Sequence, residues 1–142
     1  MLRCLVYLST ARSLFSDSDL MDLLKKSQAN NQAAGITGLL LYSNGNFIQL
    51  LEGEAEIVRA LYSRITQDPR HHNCIQLFDR ATQARLFPEW SMGFRPSAAM
   101  TPDEMGAISQ FITDTHAGIR QSDDTATPTA LKLLERFARN MR

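Results

Sequence analysis

The chain has one tryptophan, two cysteines and no surplus charge: Lys+Arg and Asp+Glu both number 15 among its 142 residues. A zero net charge argues against a nucleic-acid or membrane-surface binder, which would show a basic excess. It favours self-association, since little charge keeps copies apart, and a homo-oligomer is expected. No run of about 18 apolar residues occurs, so no membrane-spanning helix is expected. The stretch Met1 to Leu8 has too short an apolar core for a signal peptide, and no small-residue cleavage site follows it. Cys4 and Cys74 stand alone in apolar, strand-like surroundings. That suits buried thiols in a reducing cytosol better than a disulfide or a metal site, so a cytoplasmic protein is expected.

What is present is ordinary globular material. Hydrophobic residues make up 44% and charged residues 21%, enough for one domain with a substantial core. Leu2 to Ser9 is apolar on both alternating faces, which predicts a central strand covered on both sides. Ser16 and Ser18 offer N-caps, with Asp17 and Asp19 suiting a helix start. Leu20, Leu23, Leu24 and Ser27 continue at helical spacing to about Asn31, and Gln32 to Gly35 ends the helix. Strands are predicted at Ile36 to Tyr42 and Phe47 to Glu52, joined by Asn44-Gly45, a strong hairpin signal. Glu54 to Gln67 predicts a second helix with Ile57, Leu61 and Ile65 on one stripe, stopped by Asp68-Pro69. Cys74 to Ala81 and Trp90 to Phe94 predict two more strands. The order βαββαββ implies an α+β, ferredoxin-like sandwich with both helices on one sheet face.

From Pro96 the character changes. Thr101-Pro102-Asp103-Glu104 has the pattern of a capping box with Pro at the first helical position. A polar stretch from His116 to Ala126 then precedes a second amphipathic segment containing Leu131, Leu134, Phe137, Ala138 and Met141. The expected division is residues 1–95 as the main domain and 96–142 as a C-terminal helical extension. Its helical pair fits the second apolar face of the sheet, or offers an apolar surface to a partner.

Some polar residues sit where a plain core would not put them. Tyr7 lies in the first strand and Gln49 in the otherwise apolar Phe47-Ile48-Gln49-Leu50-Leu51. Leaving the Gln amide unpaired would cost about 1–3 kcal/mol. A buried Tyr–Gln pair satisfies a plain core, and it also supplies polar contacts in an apolar ligand pocket; the residues alone leave both open. Asn30 has the look of a C-terminal cap of the first helix. Arg64 and Asp68 stand one helical turn apart, as in a surface ion pair worth under about 1 kcal/mol. Adjacent His71 and His72 on a turn do not converge on one ion, so no metal is expected.

Three blocks in order resemble the BLUF family of blue-light sensors that use FAD. They are Gly35 to Tyr42 with Asn46 to Gly53, then Asp68-Pro69-Arg70-His71, then Phe87-Pro88-Glu89-Trp90-Ser91-Met92. The resemblance spans about residues 2–95. It implies non-covalent FAD, with FMN or riboflavin as substitutes, held between the two helices. It implies that Tyr7 is the photochemical electron and proton donor and that Gln49 links it to the flavin N5 and C4=O. Asn31 matches the residue that bonds the pyrimidine edge. Trp90 and Met92 match the switch pair of the last strand. Leu23 and Ile65 match the apolar clamps, and Arg64, Asp68 and His71 lie near the ribityl and phosphate end. The implied function is signalling to a downstream protein effector, not catalysis. About 45 residues follow the domain, too few for a fused cyclase or phosphodiesterase. One alternative is a light-insensitive flavin-binding or interaction module. Another is an acylphosphatase-like hydrolase, which would want an Arg-bearing phosphate loop after the first strand. Ser9-Thr10-Ala11-Arg12-Ser13 lacks the glycines for that.

Overall fold

A computed structural model describes residues 1–11, 16–43, 45–88 and 93–96, together with 102, 103, 106 and 110. Among these described residues, five strands and two helices follow in the order β1 (Leu2–Ala11), α1 (Asp17–Ala34), β2 (Thr37–Ser43), β3 (Asn46–Glu54), α2 (Ala55–Gln67), β4 (His71–Ala81) and β5 (Gly93–Pro96). They form one sheet of order β4-β1-β3-β2-β5. The first four strands pair antiparallel, and β5 runs parallel to β2. Each helix thus connects two parallel strands with a third strand between them, which is the ferredoxin-like arrangement expected from the element order.

Local chemistry explains the boundaries. Ser16 caps α1: its hydroxyl accepts from the Asp19 amide at 3.1 Å, and the Ser16 amide donates back to the Asp19 carboxylate at 3.2 Å. This reciprocal box satisfies two otherwise orphaned donors. The helix ends at Gly35, whose φ of 72° is the left-handed conformation glycine adopts without strain. It therefore runs one turn past the predicted end at Asn31. Asn30 is not a cap; it lies inside the helix. In the β2–β3 hairpin, Ser43 pairs with Asn46, and Gly45 has a φ of 81°, as the second central residue of a tight turn requires.

The core lies between the helices and one sheet face. Leu5, Tyr7, Leu40, Phe47 and Leu51 from the strands pack with Leu20, Leu24 and Val58 from the helices. On α2 the inward stripe is Val58, Leu61, Tyr62 and Ile65, and Ile57 is 38% exposed. Of the predicted stripe, Leu61 and Ile65 face the core as expected and Ile57 does not, because Val58 starts the i, i+3, i+4, i+7 set that meets the sheet. On the opposite face Val6, Leu8, Leu39, Leu41, Ile48 and Leu50 are also buried. Cys4 is buried with them, while Cys74 on the edge strand β4 is only half-buried, so the expected burial holds for one thiol of the two. Pro102, Asp103, Gly106 and Gln110 have helical backbone, in keeping with a helix near the predicted capping box. The rest of the expected C-terminal helical pair, and Trp90 and Met92, lie outside the described residues.

At Gly38 the sheet leaves no room for a side chain. A Cβ added there would meet the Leu50 backbone carbonyl oxygen at 1.9 Å. Backbone cannot rotate aside as a side chain can, so the strands would have to part. Gly38→Ala should cost at least the 1–3 kcal/mol typical of overpacking, about that order. The fall should show as a lowered urea midpoint, whereas Gly106→Ala, with open space around it, should not lower it by this route.

Candidate functional site

A cavity of about 240 Å³ opens between α1, α2 and the sheet face that carries Tyr7. Its construction follows from register. Tyr7 on β1 stands opposite Gln49 on β3, and Leu40 on β2 stands on the other side of Gln49. All point to the helix side by the two-residue alternation of strands. The Tyr7 hydroxyl donates to Gln49 Oε1 in a buried hydrogen bond. Burial pushes the Tyr7 phenol well above its ordinary range, so it keeps its proton at any physiological pH.

The helices supply the walls. Leu23 of α1 and Leu61 and Ile65 of α2 line it, as does Asn31, 4% exposed. Arg64, Asp68 and His71 line it too. The structure thus brings eight of the ten expected site residues to one cavity: Tyr7, Leu23, Asn31, Gln49, Arg64, Ile65, Asp68 and His71. Trp90 and Met92 are outside the described residues.

Several partners differ from expectation. Asp68 pairs with Arg70, not Arg64: Arg70 Nη2 donates to Asp68 Oδ2 at 2.6 Å and Nε to Oδ1 at 3.0 Å. These bonds lower the Asp68 carboxyl to about 2. His71 Nδ1 lies 2.9 Å from Ser9 Oγ, and its ring packs 5.1 Å from that of Phe47. Burial lowers its pKa, against the pull of Asp68. Lys26, Ser27 and Asn30 also face the cavity and had not been singled out for it. Lys26 and Ser27 stand three and four residues after Leu23, so helical spacing alone places them on its face. Tyr62 was missed too: its ring centroid is 5.3 Å from that of Tyr7 at 46°. Among the described residues, no three His, Cys, Asp or Glu converge as a metal site.

The donor set fits a flavin. Apolar side chains from two helices suit the faces of a flat ring, and Gln49 and Asn31 offer amide donors and acceptors to its polar edge. Lys26, Arg64 and Arg70 line the same cavity and suit phosphate. Comparison with known proteins agrees. Residues 2–93 match the family model for BLUF, sensors of blue-light using FAD. The chain is 38% identical over 92 residues to photoactivated adenylate cyclase subunit beta of Euglena longa, taking in 64% of this chain and 11% of that protein. It is 35% identical over 92 residues to the blue light- and temperature-regulated antirepressor BluF of Escherichia coli (strain K12), taking in 65% of this chain and 23% of that one. The photo-activated state of BlsA superposes with a TM-score of 0.74 at 27% identity, covering 94% of this chain and 95% of that one. A flavin-binding, blue-light-sensing domain is the class that fold and cavity define. The chain belongs to the BLUF family. It spans about a tenth of the length of the Euglena relative.

The lowered pKa of His71 makes stability depend on pH in a definite direction. The folded-state value lies below the unfolded value of 6.5, so the unfolded chain takes up the proton first. The stability tied to His71 is fully present above the unfolded value and is lost as pH falls through the folded one. At fixed flavin loading, urea denaturation should show a fall on acidification from about pH 7 to about pH 5, at most about 1.4 kcal/mol per pH unit for this one proton. His71→Gln should flatten that limb. Asp68, lowered to about 2, contributes its own loss only at more acid pH.

Proposed function

We propose that this BLUF domain signals through a rearrangement of the Tyr7–Gln49 hydrogen bond and passes the change to a partner protein. The observation that carries the reading is the buried Tyr7 hydroxyl already bonded to Gln49 Oε1 beside the cavity. When bound, a flavin that has absorbed blue light supplies a strong one-electron oxidant. Tyr7 is the phenol at hand to give an electron, and Gln49 Oε1 is the acceptor at hand for its proton. Electron and proton then return to Tyr7. The Gln49 amide, with a donor end and an acceptor end, is left rotated or in its other tautomer. The ground state is thereby rewired without net chemistry, so the domain needs no substrate and turns none over.

Asn31 would hold the ring edge, Leu23 and Ile65 its faces, and Arg64, Asp68 and His71 the ribityl and phosphate end. Trp90 and Met92 sense the change at Gln49, and residues 96–142 carry it to an effector protein or to a second copy of the chain. The Euglena relative is named as a cyclase and the E. coli relative as an antirepressor, so light sensing is joined to different outputs in relatives of this chain. FAD is the expected flavin, and a reducing, cytoplasmic setting suits the free thiols.

Tyr7→Phe should still fold and bind flavin, because only a hydroxyl is lost, at about 1 kcal/mol for the hydrogen bond. Its blue-light difference spectrum should lack the small, reversible red shift expected of the unaltered protein, since Phe is far harder to oxidise and has no proton to give. Gln49→Leu should likewise hold flavin and lose the shift. A normal shift in Tyr7→Phe would show that Tyr7 is not the donor.

Hydrogen exchange over residues 96–142 should differ between light and dark. Identical exchange there, with an unchanged assembly state, would move the output elsewhere.

A further inference from the structure

The sheet face away from the cavity buries a carboxylate. Glu52 follows Ile48 and Leu50 on that face by alternation, and it has no exposed surface. Its neighbours are Cys4 on β1 and Thr37 on β2. A carboxylate survives burial only when donors converge on it. Here Oε1 accepts from the Phe87 amide at 2.7 Å and from Thr37 Oγ1 at 3.0 Å, and Oε2 accepts from the Leu86 amide at 2.8 Å. Arg85 Nη1 completes the cluster, donating to Thr37 Oγ1 at 3.0 Å and to the Glu52 main-chain carbonyl at 3.1 Å. One residue of β3 therefore ties three consecutive residues of the β4–β5 connection to the sheet. Burial, then the nearby Glu52, push the Cys4 thiol up to about 12, as expected with a carboxylate beside it.

The placement of this tether matters more than its strength. Phe87 is held by Glu52, and Gly93 is held by pairing with Leu39 of β2. The stretch with Trp90 and Met92 lies between these two fixed points. Gln49 is three residues from Glu52 on the same strand. We propose that Glu52 is a positioning residue for the photoresponse: it fixes residues 85–87 of the β4–β5 connection to β3, so that a rearrangement at Gln49 is passed into the chain that leads to Trp90 and Met92. Without the tether, slack at residues 85–87 would absorb the change. The inference rests on the reading of Gln49, Trp90 and Met92 given above.

The test uses the full, flavin-loaded chain. Glu52→Gln keeps size and one oxygen but turns an NH₂ group toward a backbone N–H, so at least one amide bond is lost. Flavin loading and the size of the red shift should not change, because Glu52 is on the far face. Dark exchange of the Leu86 and Phe87 amides should rise about tenfold or more, while that of Leu50 stays as it was. The light-minus-dark exchange difference over residues 86–96 should largely vanish. Arg85→Met, on a half-buried side chain, should move the same readouts less far and decides the matter if Glu52→Gln does not fold. Unchanged exchange at Leu86 and Phe87, or a full light–dark difference over 86–96 in a folded variant, would overturn the proposal. An unaltered protein with no red shift would instead overturn the photochemical reading, and the output role with it. The dark exchange of Leu86 and Phe87 would then still show whether the anchor exists.

Discussion

Slide β1 by one residue against β3 and Gln49 leaves the cavity for the far face, since strand side chains alternate with period two. The pairing of Tyr7 with Gln49 therefore holds the site together. It is secured by its surroundings. Leu5 pairs with Leu51 and Ser9 with Phe47, all buried on the same face. On the other side, β4 departs from even pairing: its register with β1 shifts between Val6 and Tyr7 and again between Leu8 and Thr10. Asn73, with a φ of 51°, sits in this irregular stretch. The irregularity falls on the strand that does not carry Gln49, and the Tyr7–Gln49 alignment is left undisturbed.

The cavity divides its work by position. The helices give it apolar walls together with Asn31, Lys26 and Arg64, the central strands the buried Tyr7–Gln49 pair, and the α2–β4 turn Asp68, Arg70 and His71. In that turn Arg70 occupies Asp68 on two oxygens, and Arg64 is not the residue that neutralises it. His71 faces Ser9 and the Phe47 ring, and burial lowers its basicity. The polar pair stands among buried apolar groups, where a change of hydrogen bond weighs more than in water.

Much of this was legible in the sequence, for reasons that can be traced. Asn44-Gly45 between two apolar runs marked the hairpin, and Ser16 and Ser18 with Asp17 and Asp19 marked a helix start, of which the structure uses Ser16, because such signals are local. Tyr7 and Gln49 stood out as polar residues against apolar neighbours, whereas Asn31, among polar neighbours, was marked only by the family resemblance. The end of α1 was placed early because Asn30-Asn31 resembles a cap, while the decisive residue was Gly35, the one that adopts positive φ without strain. β4 begins at His71, three residues before the apolar signal at Cys74, since pairing of Ala11 with His71 extends the strand through polar residues. Glu52 was invisible as a buried group. A Glu at a strand's end reads as solvated, and its donors come from Thr37 and from 86 and 87, neither of which is its neighbour in sequence.

Gln49 and Glu52 lie on opposite faces of one strand, and this gives the sheet its mechanical role. Gln49 faces the cavity beside Tyr7, Leu40 and Phe47. Glu52 faces away and holds the connection to β5. β3 is paired on both sides, with β1 and with β2, so it moves as part of the sheet rather than flexing alone. A rearranged amide at position 49 therefore cannot be accommodated by bending the strand beneath it. On the proposed reading, it is the chain between Phe87 and Gly93 that receives such a change. Strand pairing fixes one end at Gly93, and the buried carboxylate fixes the other at Phe87. On that reading a change of hydrogen bond at Gln49 is passed on rather than absorbed, because packed interiors switch between discrete arrangements rather than deform continuously.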